Sequence, residues 1–239
     1  MNFTKVVDSP LSERLAALIR QAIFTGDLAS GSKIPQDDLA EEFGVSRMPI
    51  REALVILNYE GLVILEPRRG AWVAPLTLAT VDESYTMRCW AESAAVKLSV
   101  PHLSDEDLRQ IQEILTALES AQARNDPEAF VHTNRAFHAR IRFRCPWPKL
   151  AQLVDTLWNG FPPLTPQFVT NQMSEDYEEH RRLMDAAVAR DGQKASAVMT
   201  NHITRSWQSA REHFRSLGWP DTELSENLSG GAHAAHRRS

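Results

Sequence analysis

The spacing of hydrophobic positions changes along the chain. Near the start, hydrophobic residues recur every four positions, at Leu11, Leu15, Ile19 and Ile23. This period predicts an amphipathic helix with one buried face. Ser9 is the predicted cap of the helix, Pro10 suits its first position, and Gly26 ends it.

Two further helices are predicted close behind the first. Residues 36–43 form one, Gly44 stops it, and Ser46 caps a second that runs through Leu57. Two helices joined by a tight turn that contains glycine indicate a helix-turn-helix.

A hairpin is predicted after these helices. Gly61 ends the preceding helix, and residues 62–66 and 71–74 are predicted to form two strands. The turn between them is Pro67-Arg68-Arg69-Gly70, so this wing-like hairpin carries two cations at its tip.

The rest of the chain has helical periodicity and little strand signal. Predicted helices cover residues 79–98, 104–124, 127–144, 149–158, 168–190 and 193–217. Ser104 and Asp126 are predicted caps, and Gly192 marks a break between the last two helices. We expect a mainly α protein: a winged helix-turn-helix over residues 1–76, an all-α helical bundle over 79–219, and a disordered tail over 220–239.

Composition adds limits to this picture. The 239 residues are 43% hydrophobic and 24% charged, and the formal net charge is −5. Residues 1–78 contain eight Lys and Arg and ten Asp and Glu, which gives them a net negative charge. Any nucleic acid must therefore bind to a local cationic patch. The apolar stretches are shorter than the ~20 residues of a membrane span. Without CxxC or a secretory segment, Cys89 and Cys145 are expected to be reduced thiols in a soluble, cytoplasmic protein.

Arginines occupy positions where DNA could be read. Arg47 and Arg51 are four residues apart, so they share one helix face near the N-terminal end that enters a major groove. Ser46 and the free N–H groups beside it could hold a phosphate. Arg68 and Arg69 could reach an adjacent minor groove or phosphates, and Gly70 would permit close approach. The alternative is that Arg47 and Arg51 pair with glutamates on a solvated face.

Histidines at helical spacing form a candidate metal site. Asn134 and His138 lie four residues apart on one helix, and His180 and His202 are 22 positions apart on the last two helices. Antiparallel neighbours would bring these histidines level. Three imidazoles and an oxygen can hold Zn, Mn or Ni and leave open positions for a small anion. The alternative is that each histidine is a hydrogen-bonded core or surface residue.

The N-terminal motifs carry a family resemblance. The runs GVSRMPIREAL, EGLV and RRGAWV, within residues 11–76, resemble the winged helix-turn-helix of GntR-family transcription regulators. The resemblance implies that Arg47 and Arg51 read DNA and that Gly70 lies at the wing tip. Some relatives in the FadR branch carry a basic residue where this chain has Asp37, so that contact is not implied here.

The remaining residues, about 80–215, resemble the all-helical effector domain of the FadR branch. The resemblance implies a metal bound at Asn134, His138, His180 and His202, with Asn in place of the more usual Asp. Arg88 and Glu92 match a recurring pair on the first helix of that domain. Arg88 could clamp an effector carboxylate or form an intrahelical salt bridge with Glu92.

These features predict a ligand-responsive transcription regulator and not an enzyme. We expect a homodimeric repressor that binds a double-stranded DNA operator and is released by a small organic acid. One alternative is a metal-free bundle that takes an acyl ligand. Another is a metal-dependent hydrolase, which lacks an obvious general base because Glu179 points to a different helix face from His180.

Overall fold

The computed structural model of the chain describes residues 10–160 and 172–222, without the side chains of residues 159, 160 and 172. Of these, residues 10–80 and 215–222 belong to one compact unit, and residues 81–160 and 172–214 belong to a second. The described residues are mainly helical, with one two-stranded sheet, and the predicted fold class is confirmed. Ser9, residues 161–171 and residues 223–239 of the predicted tail (220–239) lie outside the described residues.

The N-terminal unit is a three-helix core with a hairpin. Its elements are α1 (Leu11–Thr25), α2 (Gln36–Glu42), α3 (Arg47–Tyr59), β1 (Val63–Glu66) and β2 (Gly70–Val73). The predicted period places Leu15, Ile19 and Ile23 in the core, where α1 packs against α3. Each buried aliphatic side chain of this kind contributes roughly 1.5–3 kcal/mol.

The hairpin is antiparallel, and Glu66 is paired with Gly70 across its turn. Arg68 and Gly70 both have positive φ angles, of 65° and 110°. A bridge between Lys33 and Trp72 adds a short third partner to the sheet. The segment before α2 is therefore held against β2, next to the turn of the hairpin.

The unit's last residues come from the far end of the chain. The backbone N–H groups of Leu78 and Ala79 donate to the carbonyls of Pro220 and Asp221 at 2.8 and 3.1 Å. Residues 215–222 thus belong with the N-terminal unit, whereas the predicted division assigned residues 79–219 to the bundle and residues 220–239 to a disordered tail.

The second unit is built from helices alone. It contains most of α4 (Leu78–Ser99) and α9 (Gly192–Ser216), a 3-10 turn (Val100–His102), α5 (Asp105–Ala123), α6 (Pro127–Ile141), α7 (Pro148–Gly160) and α8 (Gln172–Val188). Ser104 caps α5 in a capping box with Asp107, and Asp126 caps α6 through Ala129 N–H, as predicted. Among the described helices, none is long and apolar enough to span a bilayer.

Several helix boundaries differ from prediction by a few residues, and Pro10 is the N-cap of α1 and not its first residue. Helix α6 ends at Ile141 and not at 144, and the N–H of Arg144 donates to the Ser99 hydroxyl at 3.0 Å. The turn before α9 is made by Arg190, at φ 57°, and by Asp191, whose carboxylate accepts the Lys194 N–H. Gly192 is the first residue of α9, and a Cβ there would collide with the backbone oxygen of Lys97.

We predict that Gly192→Ala destabilises the protein although alanine is the better helix former. The added methyl group would have to displace the backbone at Lys97, which costs about 1–3 kcal/mol for overpacking of this kind. Urea unfolding measures the change, with Gln193→Ala, an exposed site on the same turn, as the control. Equal stability of the two variants would contradict the close contact between Gly192 and Lys97.

Candidate functional site

The N-terminal unit carries a groove between α2, α3 and the hairpin, with a volume of about 840 Å³. Polar, charged and apolar side chains all line it. The lining residues on the hairpin and α3 include all four predicted arginines and Gly70: Arg47, Arg51, Arg68, Arg69 and Gly70. The structure thus brings these residues to one concave surface, which we term the arginine groove.

The four arginines differ in their partners. Arg47 Nε lies 2.7 Å from Asp37 Oδ1, and Arg69 Nη1 lies 3.0 Å from Glu66 Oε2. In the part of the chain that the structure describes, Arg51 and Arg68 form no ion pair. The alternative was that Arg47 and Arg51 pair with glutamates; Arg47 pairs instead with an aspartate, and Arg51 pairs with none of the described residues. Arg47 and Arg69 both remain exposed.

Two polar residues of the groove were not singled out from the sequence. Lys33 and Gln36 lie beside the turn, and a Cβ on Gly70 would be 3.5 Å from Lys33 Cε. The φ of 110° at Gly70 also strains any larger residue. Lys33 reaches this place through its bridge to Trp72, a contact between positions 39 residues apart that local sequence patterns do not reveal.

Ser46 occupies the N-cap position of α3, as predicted, but its side chain makes no capping hydrogen bond. The first N–H groups of α3 therefore lack the hydroxyl partner that a serine cap usually supplies.

The second unit buries three histidines against one another. His138, His180 and His202 come from α6, α8 and α9, and one ring nitrogen of each lies within 4.8 Å of the others. The Nε2 atoms of His138 and His180 are 3.1 Å apart. The structure thus brings together three histidines that are separated by 42 and 22 positions in the sequence.

Asn134 supplies an oxygen on the same helix as His138. It is 2% exposed, and its Oδ1 has no hydrogen-bond partner among the described residues. A buried polar atom left unsatisfied costs about 1–3 kcal/mol. A divalent metal held by the histidines would provide the missing partner, so the donor set of three nitrogens and one oxygen fits such an ion.

Carboxylates orient two of the imidazoles. Glu92 Oε2 lies 2.9 Å from His138 Nδ1, and Glu179 Oε2 lies 2.7 Å from His202 Nδ1. When Nδ1–H donates to a carboxylate, the Nε2 lone pair is available for a metal. Glu179 was expected on a different helix face from His180; the structure shows that it reaches His202 on the neighbouring helix instead.

The charges in this cluster are set by burial and by partners. Burial opposes ionisation of Glu92, but the Arg88 charge and the His138 hydrogen bond outweigh it and lower its pKa to about 2. Burial lowers the pKa of His138 to about 4, against the opposing effect of Glu92. The cluster at neutral pH therefore contains an ionised carboxylate beside a neutral imidazole.

A second set of ligand-type groups, Asp176, Glu179 and His202, already contains a cation. The guanidinium of Arg205 donates to both carboxylates, including a 2.7 Å bond to Glu179 Oε2. Burial would raise the pKa of Glu179, but hydrogen bonds from His202 and Arg205 lower it to about 2. This set is a carboxylate–arginine network, and it supports His202 from outside the three-histidine cluster.

Arg88 forms the salt bridge with Glu92 that was one of its two predicted alternatives. Its Nε donates to Glu92 Oε1 at 3.0 Å, which is the intrahelical salt bridge. Its Nη1 is buried and makes no hydrogen bond to a described residue. The guanidinium carbon lies 5.0 Å from the ring centroid of Tyr85 and 4.9 Å from that of Trp158. The Nη1 edge of this buried cation therefore has hydrogen-bonding capacity that the described residues do not use.

Comparison with known proteins matches both units. The family profile described as "Bacterial regulatory proteins, gntR family" matches residues 11–73, and that described as "FCD domain" matches residues 83–205. The HTH-type transcriptional regulator McbR of Escherichia coli K12 is 29% identical over 177 residues, which are 72% of this chain and 80% of McbR.

Two further comparisons agree with this result. The gluconate operon transcriptional repressor of Bacillus licheniformis is 31% identical over 176 residues, 72% of this chain and 70% of the repressor. The solved structure of E. coli McbR/YncC has a TM-score of 0.70 at 25% identity, and the match covers 87% of this chain and 100% of that one. The chain therefore belongs to the GntR family of DNA-binding bacterial transcription regulators, with an FCD domain after its winged helix-turn-helix, and it is not an enzyme.

Proposed function

We propose that the chain is a repressor that binds an operator through the arginine groove and is released by a small organic acid bound beside a divalent metal. The observation that carries this proposal is the buried cluster of three imidazoles, with an Asn134 oxygen and an Arg88 nitrogen that have no hydrogen-bond partner among the described residues. Such a cluster is costly to bury unless a ligand completes it.

The groove supplies distinct contacts to DNA. Arg51 lies one turn along α3 and has no ion pair among the described residues, so its guanidinium is free to bridge guanine O6 and N7. Arg68 and Arg69, at the turn of the hairpin, contact phosphates or the minor groove, and Gly70 permits the approach. Ser46 and the first N–H groups of α3 hold a phosphate.

The protein acts in the cytoplasm as a homodimer that places two recognition helices on an inverted repeat. Trp90 on α4 is 72% exposed, and Met87, one turn earlier, is 39% exposed. Large apolar side chains on a surface helix support an interface with a second copy.

Asn134, His138, His180 and His202 would hold the metal, which is Zn, Mn or Ni. Such an ion supplies positive charge and open coordination positions for a carboxylate when it is bound. Arg88 Nη1 donates to the carboxylate of the same acid, and Glu92 holds His138 in the tautomer that presents Nε2. The effector relieves repression by binding more tightly to the state of the protein that does not fit the operator.

A second candidate keeps the repressor and leaves the bundle without metal, with an acyl ligand in the pocket. It is supported by Asn134, which supplies no negative charge where Asp is more usual. The metal content of the protein decides between the two candidates.

Arg51→Ala should weaken binding to the operator by about 1–3 kcal/mol, because a bidentate base contact is lost. The operator is defined as the sequence that the wild-type protein enriches from a random duplex pool, and affinity is measured by mobility shift at fixed salt. Arg14→Ala removes an exposed cation from α1, outside the arginine groove, and is the matched control. An equal loss of affinity for operator and scrambled DNA would show that Arg51 contacts a phosphate and not a base.

The untagged wild-type protein should copurify with one divalent metal per chain, and His138→Ala should lose it. His132→Ala is the control, because His132 is exposed on the same helix. Asn134→Asp should bind the metal more tightly, since it adds a negative ligand. Metal-free wild-type protein that takes up none of the three metals on titration would favour the acyl-ligand candidate.

Acid should destabilise the metal-free protein well before its carboxylates titrate. His138 has a pKa near 6.5 in the unfolded chain and about 4 in the folded protein. The free energy of unfolding that the neutral imidazole contributes is therefore fully present above pH 6.5 and is lost as the pH falls toward 4. The difference between these two pKa values corresponds to roughly 3 kcal/mol of unfolding free energy. The stability that Glu92 contributes, with its pKa of about 2, is lost only below about pH 4.5.

Urea unfolding of the chelator-treated protein at neutral and mildly acidic pH measures this loss. His132→Ala should leave the profile unchanged because that imidazole is exposed. Constant stability from neutral pH to about pH 5 would contradict a neutral, buried His138.

A further inference from the structure

The arginine groove contains carboxylates as well as cations. Asp37, Asp38 and Glu66 line it together with the four arginines. Asp37 is the second residue of α2 and Arg47 is the first residue of α3, and Arg47 Nε lies 2.7 Å from Asp37 Oδ1. On the surface proposed to bind DNA, the carboxylate of Asp37 therefore contacts Arg47, one of the arginines proposed to recognise bases.

Folding stability does not account for this ion pair. Arg47 and Asp37 are 72% and 64% exposed, and exposed pairs contribute about 0–1 kcal/mol. The pair has a stronger effect when DNA covers it, because removal of water strengthens the attraction between the two charges. Its consequences are therefore expected in the complex and not in the free protein.

We propose that Asp37 determines operator specificity by positioning Arg47, an inference that rests on the proposed DNA-binding role of the groove. The carboxylate holds the guanidinium at the start of α3, where base edges are within reach. It also opposes the movement of Arg47 onto a phosphate, since that movement breaks the pair and brings the freed carboxylate near the DNA backbone. Non-operator DNA lacks the matching base edge and would have to be held by Arg47 through a phosphate, so it is bound less tightly.

Asp38 provides a matched control. It is the next residue of α2, it is exposed and lines the same groove, and within the described residues it forms no ion pair. Asp37→Asn and Asp38→Asn remove the same charge from neighbouring positions. An effect common to both variants reports charge alone, and an effect confined to Asp37→Asn reports the contact with Arg47.

The test compares the affinities of both variants for the sequence enriched by the wild-type protein and for a scrambled duplex of equal length, over a range of salt. Asp37→Asn should bind scrambled DNA about tenfold tighter, with a salt slope steeper by about 0.9, which is one added phosphate contact. Its affinity for the operator should change less, so the specificity ratio falls. Asp38→Asn should shift both affinities equally and leave the ratio unchanged.

Arg47→Ala, combined with Asp37→Asn, completes a double-mutant cycle for this ion pair. In the Arg47→Ala background, Asp37→Asn should have no more effect than Asp38→Asn, because the partner is gone. Thermal unfolding of the single variants should match the wild type, which separates positioning from folding.

Three outcomes would overturn the inference. If Asp37→Asn and Asp38→Asn behave alike, the contact has no role in specificity. A loss of operator affinity without tighter binding to scrambled DNA would show that Asp37 itself contacts a base. If the wild-type protein enriches no sequence, the proposal that the groove binds an operator is wrong, and the role of Asp37, which rests on it, is wrong as well.

Discussion

One buried carboxylate organises the second unit. Glu92 is fully buried on α4, and its two oxygens accept hydrogen bonds from Arg88 and His138 at 3.0 and 2.9 Å. An ionised group in such a place is tolerated only when its partners are present, and removal of one partner typically costs 3–5 kcal/mol. The same bonds tie α4 to α6 and direct the second nitrogen of His138 toward His180. The placement of His138 in the cluster therefore depends on a single charge.

This arrangement also relates the two proposed ligands to each other. Arg88 would bind the acid and His138 the metal, and both residues are bonded to Glu92. A change in the position of either partner alters the environment of the shared carboxylate, and any resulting coupling of affinities must be reciprocal. The carboxylate–arginine network of Asp176, Glu179 and Arg205 supports His202 in a similar way on the other side.

The N-terminal unit resolves an apparent conflict over charge. Its first 78 residues carry a net charge of −2, which argues against attraction of DNA by the domain as a whole. The fold gathers the four arginines into one groove, where Asp37 and Glu66 contact two of them. In the proposed function this mixture suits a reader of sequence better than a general binder of phosphates, because each carboxylate weakens the attraction to backbone alone.

The sequence by itself determined the helices, the hairpin and several caps. The four-residue period of α1 and the capping pattern at Ser104 depend on interactions within a few residues, so local patterns reveal them. Motif resemblance also singled out Arg47, Arg51 and the three histidines. Only the tertiary structure decided the partners: Asp37 for Arg47, Lys33 beside Gly70, Glu179 for His202 and the collision that requires glycine at position 192. These contacts join residues 10 to 95 positions apart, and their existence depends on how helices pack and not on the period within any one of them.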